Sequence, residues 1–202
     1  MISDNLKKTA DVLMKIKGNV RGEIIIANAF YIKEKRGEQG LMELENTLKE
    51  LGYPIEFKTV KPLEWYSEAL SSLAVITAKE IFSWSNDDIF EMGKSAPKIS
   101  LIVIKLFLKY LVSIRRIFEM APVYWQKYFD TGRLESVEIN EEKKFAIVRV
   151  RDHLYHPLIC IYEAGYFLGV IQLTGRLNGL TITETNCEFR GDPFHEYILR
   201  WQ

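Results

Sequence analysis

Pro157-Leu-Ile-Cys-Ile-Tyr-Glu-Ala-Gly-Tyr-Phe-Leu-Gly-Val-Ile-Gln-Leu173 decides how the C-terminal third of this chain is read. Apolar side chains fill it so continuously that periodicity alone leaves helix and strand both open. Its length and the proline at its start favour a helix, whereas Gly165 and Gly169 weigh against one. On a helix those glycines, four apart, would let the backbone approach a neighbour closely. The flanks are less ambiguous. Leu134 to Ile139 and Lys144 to Arg151 are rich in β-branched residues and separated by Asn140-Glu-Glu-Lys143, a hairpin with a four-residue turn. Leu180 to Thr185 alternates strictly, and Phe194 to Trp201 reads as strand. The C-terminal part therefore reads β-β-α-β-β, a four-stranded antiparallel sheet with one crossing helix.

Upstream of Gly132 the pattern is helical. Leu6, Ala10, Leu13 and Ile16 share one face, with Ser3 available as cap. A helix over Glu23–Lys35 is punctuated by Gly37 and Gly40, and Leu41–Leu51 forms another, closed by Gly52. Residues 53–61 look extended, and Pro62 opens a predicted helix over Leu63–Phe82. Ser85 or Asn86 caps a short helix reaching about Gly93. From Pro97 to about Met120, Lys98, Lys105, Lys109 and Arg116 form one narrow polar stripe on an otherwise apolar surface. A helix apolar around most of its circumference is surrounded on most sides, so this segment is expected to be the buried central helix. Ala121-Pro122 should end it, leaving a short aromatic helix over Tyr124–Phe129. The expected fold class is α+β, one domain over 1–202, with a helical bundle over 1–132 and a sheet-forming part over 133–202.

The chain has 202 residues, nearly half of them apolar, enough to bury a sizeable core. Its 27 basic and 27 acidic residues balance, and no block of like charge appears. No nucleic-acid partner is expected. Two cysteines make no disulfide framework. Met1-Ile-Ser-Asp-Asn-Leu-Lys-Lys8 lacks the form of a secretory leader, and Lys105 and Lys109 interrupt the most hydrophobic stretch. The expectation is a cytoplasmic protein without a transmembrane segment.

Three passages carry a resemblance. Gly22-Glu-Ile24 through Gly37-Glu-Gln-Gly-Leu41 places a helix between glycines. Glu163-Ala-Gly-Tyr-Phe-Leu-Gly169 is a glycine-bearing helix between hairpins. Asn186-Cys-Glu-Phe-Arg-Gly-Asp-Pro-Phe-His-Glu-Tyr197 sets a cysteine and a Gly-Asp turn before a last strand. With helices followed by β-β-α-β-β, the chain resembles the superfamily of haem–nitric-oxide-binding sensors, 4-vinyl-reductase-type domains and TRAPP vesicle-transport subunits. The resemblance implies binding rather than catalysis, with a ligand between helices and sheet and pairing through helices into a homodimer. It departs in two respects. No histidine precedes His153 and no Tyr-x-Ser-x-Arg triplet occurs, so haem held in the sensors' manner is not expected. His195 stands where the 4-vinyl-reductase-type pattern has its second closing cysteine, which weakens a metal site carried over from it.

All three histidines and both cysteines fall within 153–195. His153, His156, Cys160, Cys187 and His195 could gather into a structural zinc site. The plainer alternative is a small buried Cys160 with histidines capping strand ends, and no metal ligand is assigned. Gly93-Lys94-Ser95 matches only the tail of a phosphate loop, since Asp88 occupies the position of the first glycine. Arg190-Gly191-Asp192 reads as a turn. No motif nominates a catalyst. Trp65, Tyr66, Phe107, Tyr110, Phe118, Tyr124 and Trp125 are the candidate aromatic residues: core packing accounts for most of them, and a subset is expected to line an apolar pocket for a small hydrophobic or acyl-like ligand, with the cofactor unspecified. A cavity of roughly 300 Å³ or more would favour a sensory or ligand-binding domain. A filled core would favour a non-catalytic interaction or scaffold protein.

Overall fold

The computed structural model describes residues 2–100, 113–175 and 177–202. It begins with α1 (Asp4–Leu13), capped by Ser3, whose hydroxyl accepts from the Leu6 amide. Strand β1 (Asn19–Arg21) leads into α2 (Gly22–Glu50). The two helices expected around Gly37 are one run with a kink, because Gly37 adopts φ 71°, ψ −175°, a conformation that a side chain would strain.

The helix expected over Leu63–Phe82 is shorter. Trp65–Ser67 is strand β2, paired antiparallel with β1, and α3 (Glu68–Ile81) starts after it under the Ser67 cap. The backbone of residues 62–64 finds long-range partners instead of helical ones. Pro62 O accepts from Glu23 N and Glu64 O from Gly22 N, each at 3.0 Å, and Leu63 O accepts from the Arg21 guanidinium. Helix α4 (Asn86–Ser95) starts with a reciprocal capping box between Ser85 and Asp88.

The expected helix from Pro97 to Met120 is not unbroken. Ala96–Lys98 form a single 3-10 turn and Ser113 is extended, its hydroxyl capping a new helix, α5 (Ile114–Tyr128). Residues 101–112, with Lys105, Phe107, Lys109 and Tyr110, lie outside the described residues. Pro122, expected to end a helix, sits inside α5. A proline has no amide to offer the carbonyl four residues back. Here the Ser136 hydroxyl donates to Phe118 O in its place, at 2.5 Å.

Strands β3 (Arg133–Asn140) and β4 (Phe145–Arg151) form the expected hairpin, followed by α6 (Pro157–Gln172), β5 (Thr181–Asn186) and β6 (His195–Arg200). The sheet is antiparallel throughout, in the order β3-β4-β6-β5. Leu134 faces Val150, Val148 faces Tyr197 and Leu199 faces Ile182. The period of two puts Leu134, Ala146, Val148, Val150, Tyr197 and Leu199 on the buried face.

Helix α6 packs on that face and, on its other side, against α4. A Cβ at Gly165 would lie 2.0 Å from Phe90 O, one at Gly169 2.3 Å from Lys94 O, and one at Gly93 2.0 Å from Tyr162 O. Three glycines thus allow backbone-to-backbone contact between the two helices, the close approach foreseen for Gly165 and Gly169. Among the described residues, no helix is long and apolar enough to cross a membrane.

Candidate functional site

Between α5, α6 and the sheet the described side chains leave space unfilled. A cavity of about 100 Å³ lies between α5 (Ile117, Phe118, Ala121, Tyr124, Trp125), α6 (Phe167, Val170, Ile171) and the sheet (Leu134, Ala146, Val148, Leu199). Its lining is almost wholly apolar. Of the seven candidate aromatic residues, the structure brings Phe118, Tyr124 and Trp125 together here. Trp65 is instead 41% exposed, its ring under the Arg21 guanidinium at 3.8 Å. Tyr66 is half-buried in the β1–β2 corner, its hydroxyl accepting from Lys61 N. Phe107 and Tyr110 lie outside the described residues.

A second, smaller cavity of about 50 Å³ shares Trp125, Phe129, Tyr166 and Phe167 with the first, and its remaining walls mix apolar side chains such as Val20, Ile24 and Ile159 with Glu68, His153 and Glu163. Glu68 from the first turn of α3 and Glu163 from the middle of α6 close on His153, which follows β4. Glu68 hydrogen-bonds the Nε2 side of the ring, and Nδ1 lies 2.8 Å from Glu163 Oε1, off the line of a good hydrogen bond. Burial pulls the imidazole pKa down, but the Glu163 and Glu68 carboxylates outweigh it and push it up to about 10. The two carboxylates favour the protonated ring of His153, which is enclosed edge-on by Trp125, Phe129 and Tyr155. Burial raises Glu68 above the ordinary carboxylate range against the pull of His153. Thr131 donates to the second Glu68 oxygen at 3.2 Å, and Tyr197 to the second Glu163 oxygen at 3.1 Å.

The cysteines and histidines divide differently from the single group weighed in sequence. His156 caps α6, its Nδ1 accepting from Leu158 N at 3.1 Å, and burial lowers its pKa. Cys160 from α6, Glu184 from β5, Cys187 just after β5 and His195 from β6 converge, with one ligand atom from each within 4.8 Å of all the others. His195 Nδ1 lies 3.1 Å from Glu184 and 3.6 Å from Cys160 Sγ. Burial first, then Glu163, Glu184 and Cys187, raises the Cys160 thiol, and burial raises Cys187. Two sulfurs, one imidazole and one carboxylate at this separation fit a tetrahedral divalent cation, which would hold both sulfurs as thiolates.

Glu184 was missed in sequence, yet it left a signal. Along β5 it shares the inward parity of Ile182, where an acid is out of place. Glu163 was likewise the one charge in the 157–173 run.

No family model and no curated protein matches the chain. Solved structures do. An H-NOX protein from S. oneidensis in the Fe(II) ligation state aligns over 90% of this chain and 96% of its own, with a TM-score of 0.68 at 12% identity. An oxygen-binding H-NOX domain related to soluble guanylate cyclases aligns over 90% and 95%, with a TM-score of 0.62 at 14%. This chain has the H-NOX fold. At such identities the likeness is one of fold, and an H-NOX-like chain can carry a different site.

Proposed function

We propose that this H-NOX-like chain is a small-molecule-binding or sensory domain whose guest occupies the apolar cavity between α5, α6 and the sheet. The cavity itself is the observation that supports this. Packed interiors rarely leave voids larger than a water molecule. At about 100 Å³ it is smaller than the roughly 300 Å³ typical of drug-sized ligands, so an acyl-like guest gives way to one of a few heavy atoms. An apolar space of this order accepts small guests such as xenon or benzene.

The reading does not include haem held as the sensors hold it. His153 is clamped between two carboxylates, His156 is engaged by a helix terminus, and His195 faces Glu184. The buried carboxylates beside the cavity would also repel haem propionates. A cytoplasmic protein that pairs with itself and leaves nucleic acid alone fits the balanced charge.

Thermal unfolding under xenon, benzene and isobutanol tests the assignment. The midpoint should rise with guest concentration, and amide NMR shifts should centre on Phe118, Val148 and Val170. Unchanged midpoints for all three guests would leave the filled-core scaffold as the better reading.

The cysteine cluster supports a second, compatible reading. Cys160, Glu184, Cys187 and His195 would hold a zinc-like cation that pins α6 to β5 and β6.

A further inference from the structure

The second half of α2, beyond the kink at Gly37, forms one wall of an open surface groove. Gln39, Met42, Glu43, Asn46, Thr47 and Glu50 follow one another at steps of three, one, three, one and three, so they share a face of about three turns, roughly 16 Å long. Glu80 and Ile81 at the end of α3, with Ile2 and Leu6 around the start of α1, complete the groove, which encloses about 560 Å³. Four of its lining residues are apolar. Leu6 is buried, Ile2 and Ile81 are half-buried, and Met42 stands 58% exposed. Three are acidic. Glu43, Glu50 and Glu80 are exposed carboxylates, and the ion pairs formed by lysines of α1 and α2, Lys7 with Asp4 and Lys33 with Glu38, engage other acids.

That composition selects the occupant. A groove with apolar residues along three helical turns suits the apolar stripe of another helix laid into it. Methionine is flexible and polarisable, so it adapts to side chains of different shape on a binding surface. The three carboxylates favour a partner with cations beside its apolar stripe and disfavour an acidic one. They would also repel an anionic lipid surface. We propose that this groove docks a basic amphipathic helix of a partner protein. Apolar side chains of that helix pack on Ile2, Met42 and Ile81, and its lysines or arginines meet Glu43, Glu50 and Glu80. The groove shares no residue with the two interior cavities or with the cysteine cluster, so the proposal is independent of the guest assignment.

Fluorescence anisotropy of the full chain with labelled synthetic helices of about four turns tests the proposal. One peptide carries leucines on one face and lysines on the other. Its controls replace lysine by glutamate, replace leucine by serine, or scramble the order. The leucine–lysine helix should bind about tenfold or more tighter than every control, and its affinity should fall with added salt. Met42→Ser should weaken it about tenfold. Glu43→Lys, Glu50→Lys and Glu80→Lys combined should do the same and turn the preference toward the glutamate peptide. These four positions are exposed, and if a variant still fails to fold, amide NMR shifts on the unmodified chain decide, centred on residues 39–50 and 80–81. Serine-faced or scrambled peptides binding as tightly would reduce the effect to diffuse charge attraction and overturn the proposal, as would shifts centred elsewhere. Self-association of the chain that the combined variant abolishes would also overturn it, assigning the groove to a second copy.

Discussion

Ala146→Ile is a direct test of whether the space behind β4 is real. Ala146 is buried on the inner face of the sheet and lines the apolar cavity. Isoleucine adds three carbons there, and its β-branch suits a strand. Two routes give the size of the effect. Cavity volume costs about 24 cal/mol per Å³, so about 100 Å³ corresponds to about 2 kcal/mol. Three newly buried carbons at about 0.8 kcal/mol each give a similar figure. Part of this is lost in fitting the new side chain, leaving an expected gain of about 1 kcal/mol, or about 2–4 °C in Tm for a chain of this size. The matching assay is urea denaturation followed by circular dichroism, with thermal scans with and without benzene. Stability should rise and the benzene-dependent shift should vanish. If the interior were already filled, the same substitution would overpack it and cost about 1–3 kcal/mol. A loss of that size would refute the reasoning, since the two cases differ in sign.

Gly165→Ala should destabilise by about 2 kcal/mol or more, because the new Cβ meets Phe90 O at 2.0 Å and steric conflict outweighs the helix preference of alanine. A change under about 0.5 kcal/mol in chemical denaturation would contradict that crossing. The His153 ring, held up to about 10, should still be protonated at pH 8 in ¹⁵N NMR, and titration near 6.5 would disprove the clamp. Its stabilising contribution is complete below its ordinary value and is lost as pH rises through about 10; Glu68, also raised, acts in the same sense at lower pH. Equilibrium dialysis against zinc should give about one equivalent per chain, lost in Cys187→Ala and weakening as pH falls, since both thiols must shed protons. Less than about a tenth of an equivalent in the unmodified chain would dismiss the cluster as a metal centre.

The C-terminal part was legible in sequence because its signals are local. The hairpin turn at Asn140–Lys143, the alternation along β5 and the length of the 157–173 run each specify their element without help from the rest. The N-terminal part was less so. Trp65–Ser67 continued a helical pattern but pairs with Asn19–Arg21, a partner more than forty residues away. Pro122 read as a terminator because the group that compensates for it, Ser136, lies in another element. The candidate site was legible by residue type but not by grouping. Cys160, Cys187 and His195 were grouped with His153 and His156, which the fold sends elsewhere. Glu68 carried no signal in the sequence, since its role depends on His153, 85 residues further along.

The bare-backbone crossing of α4 and α6 has a mechanical consequence. Neighbouring helices usually accommodate a small shift by rotating the side chains between them, which dissipates the movement. At Gly93, Gly165 and Gly169 nothing intervenes that could rotate. Any displacement of α6 would therefore be passed to α4 through backbone contact, as between two meshed gear teeth without backlash. The outer surface of α4 is the place to look for any signal the bound state sends.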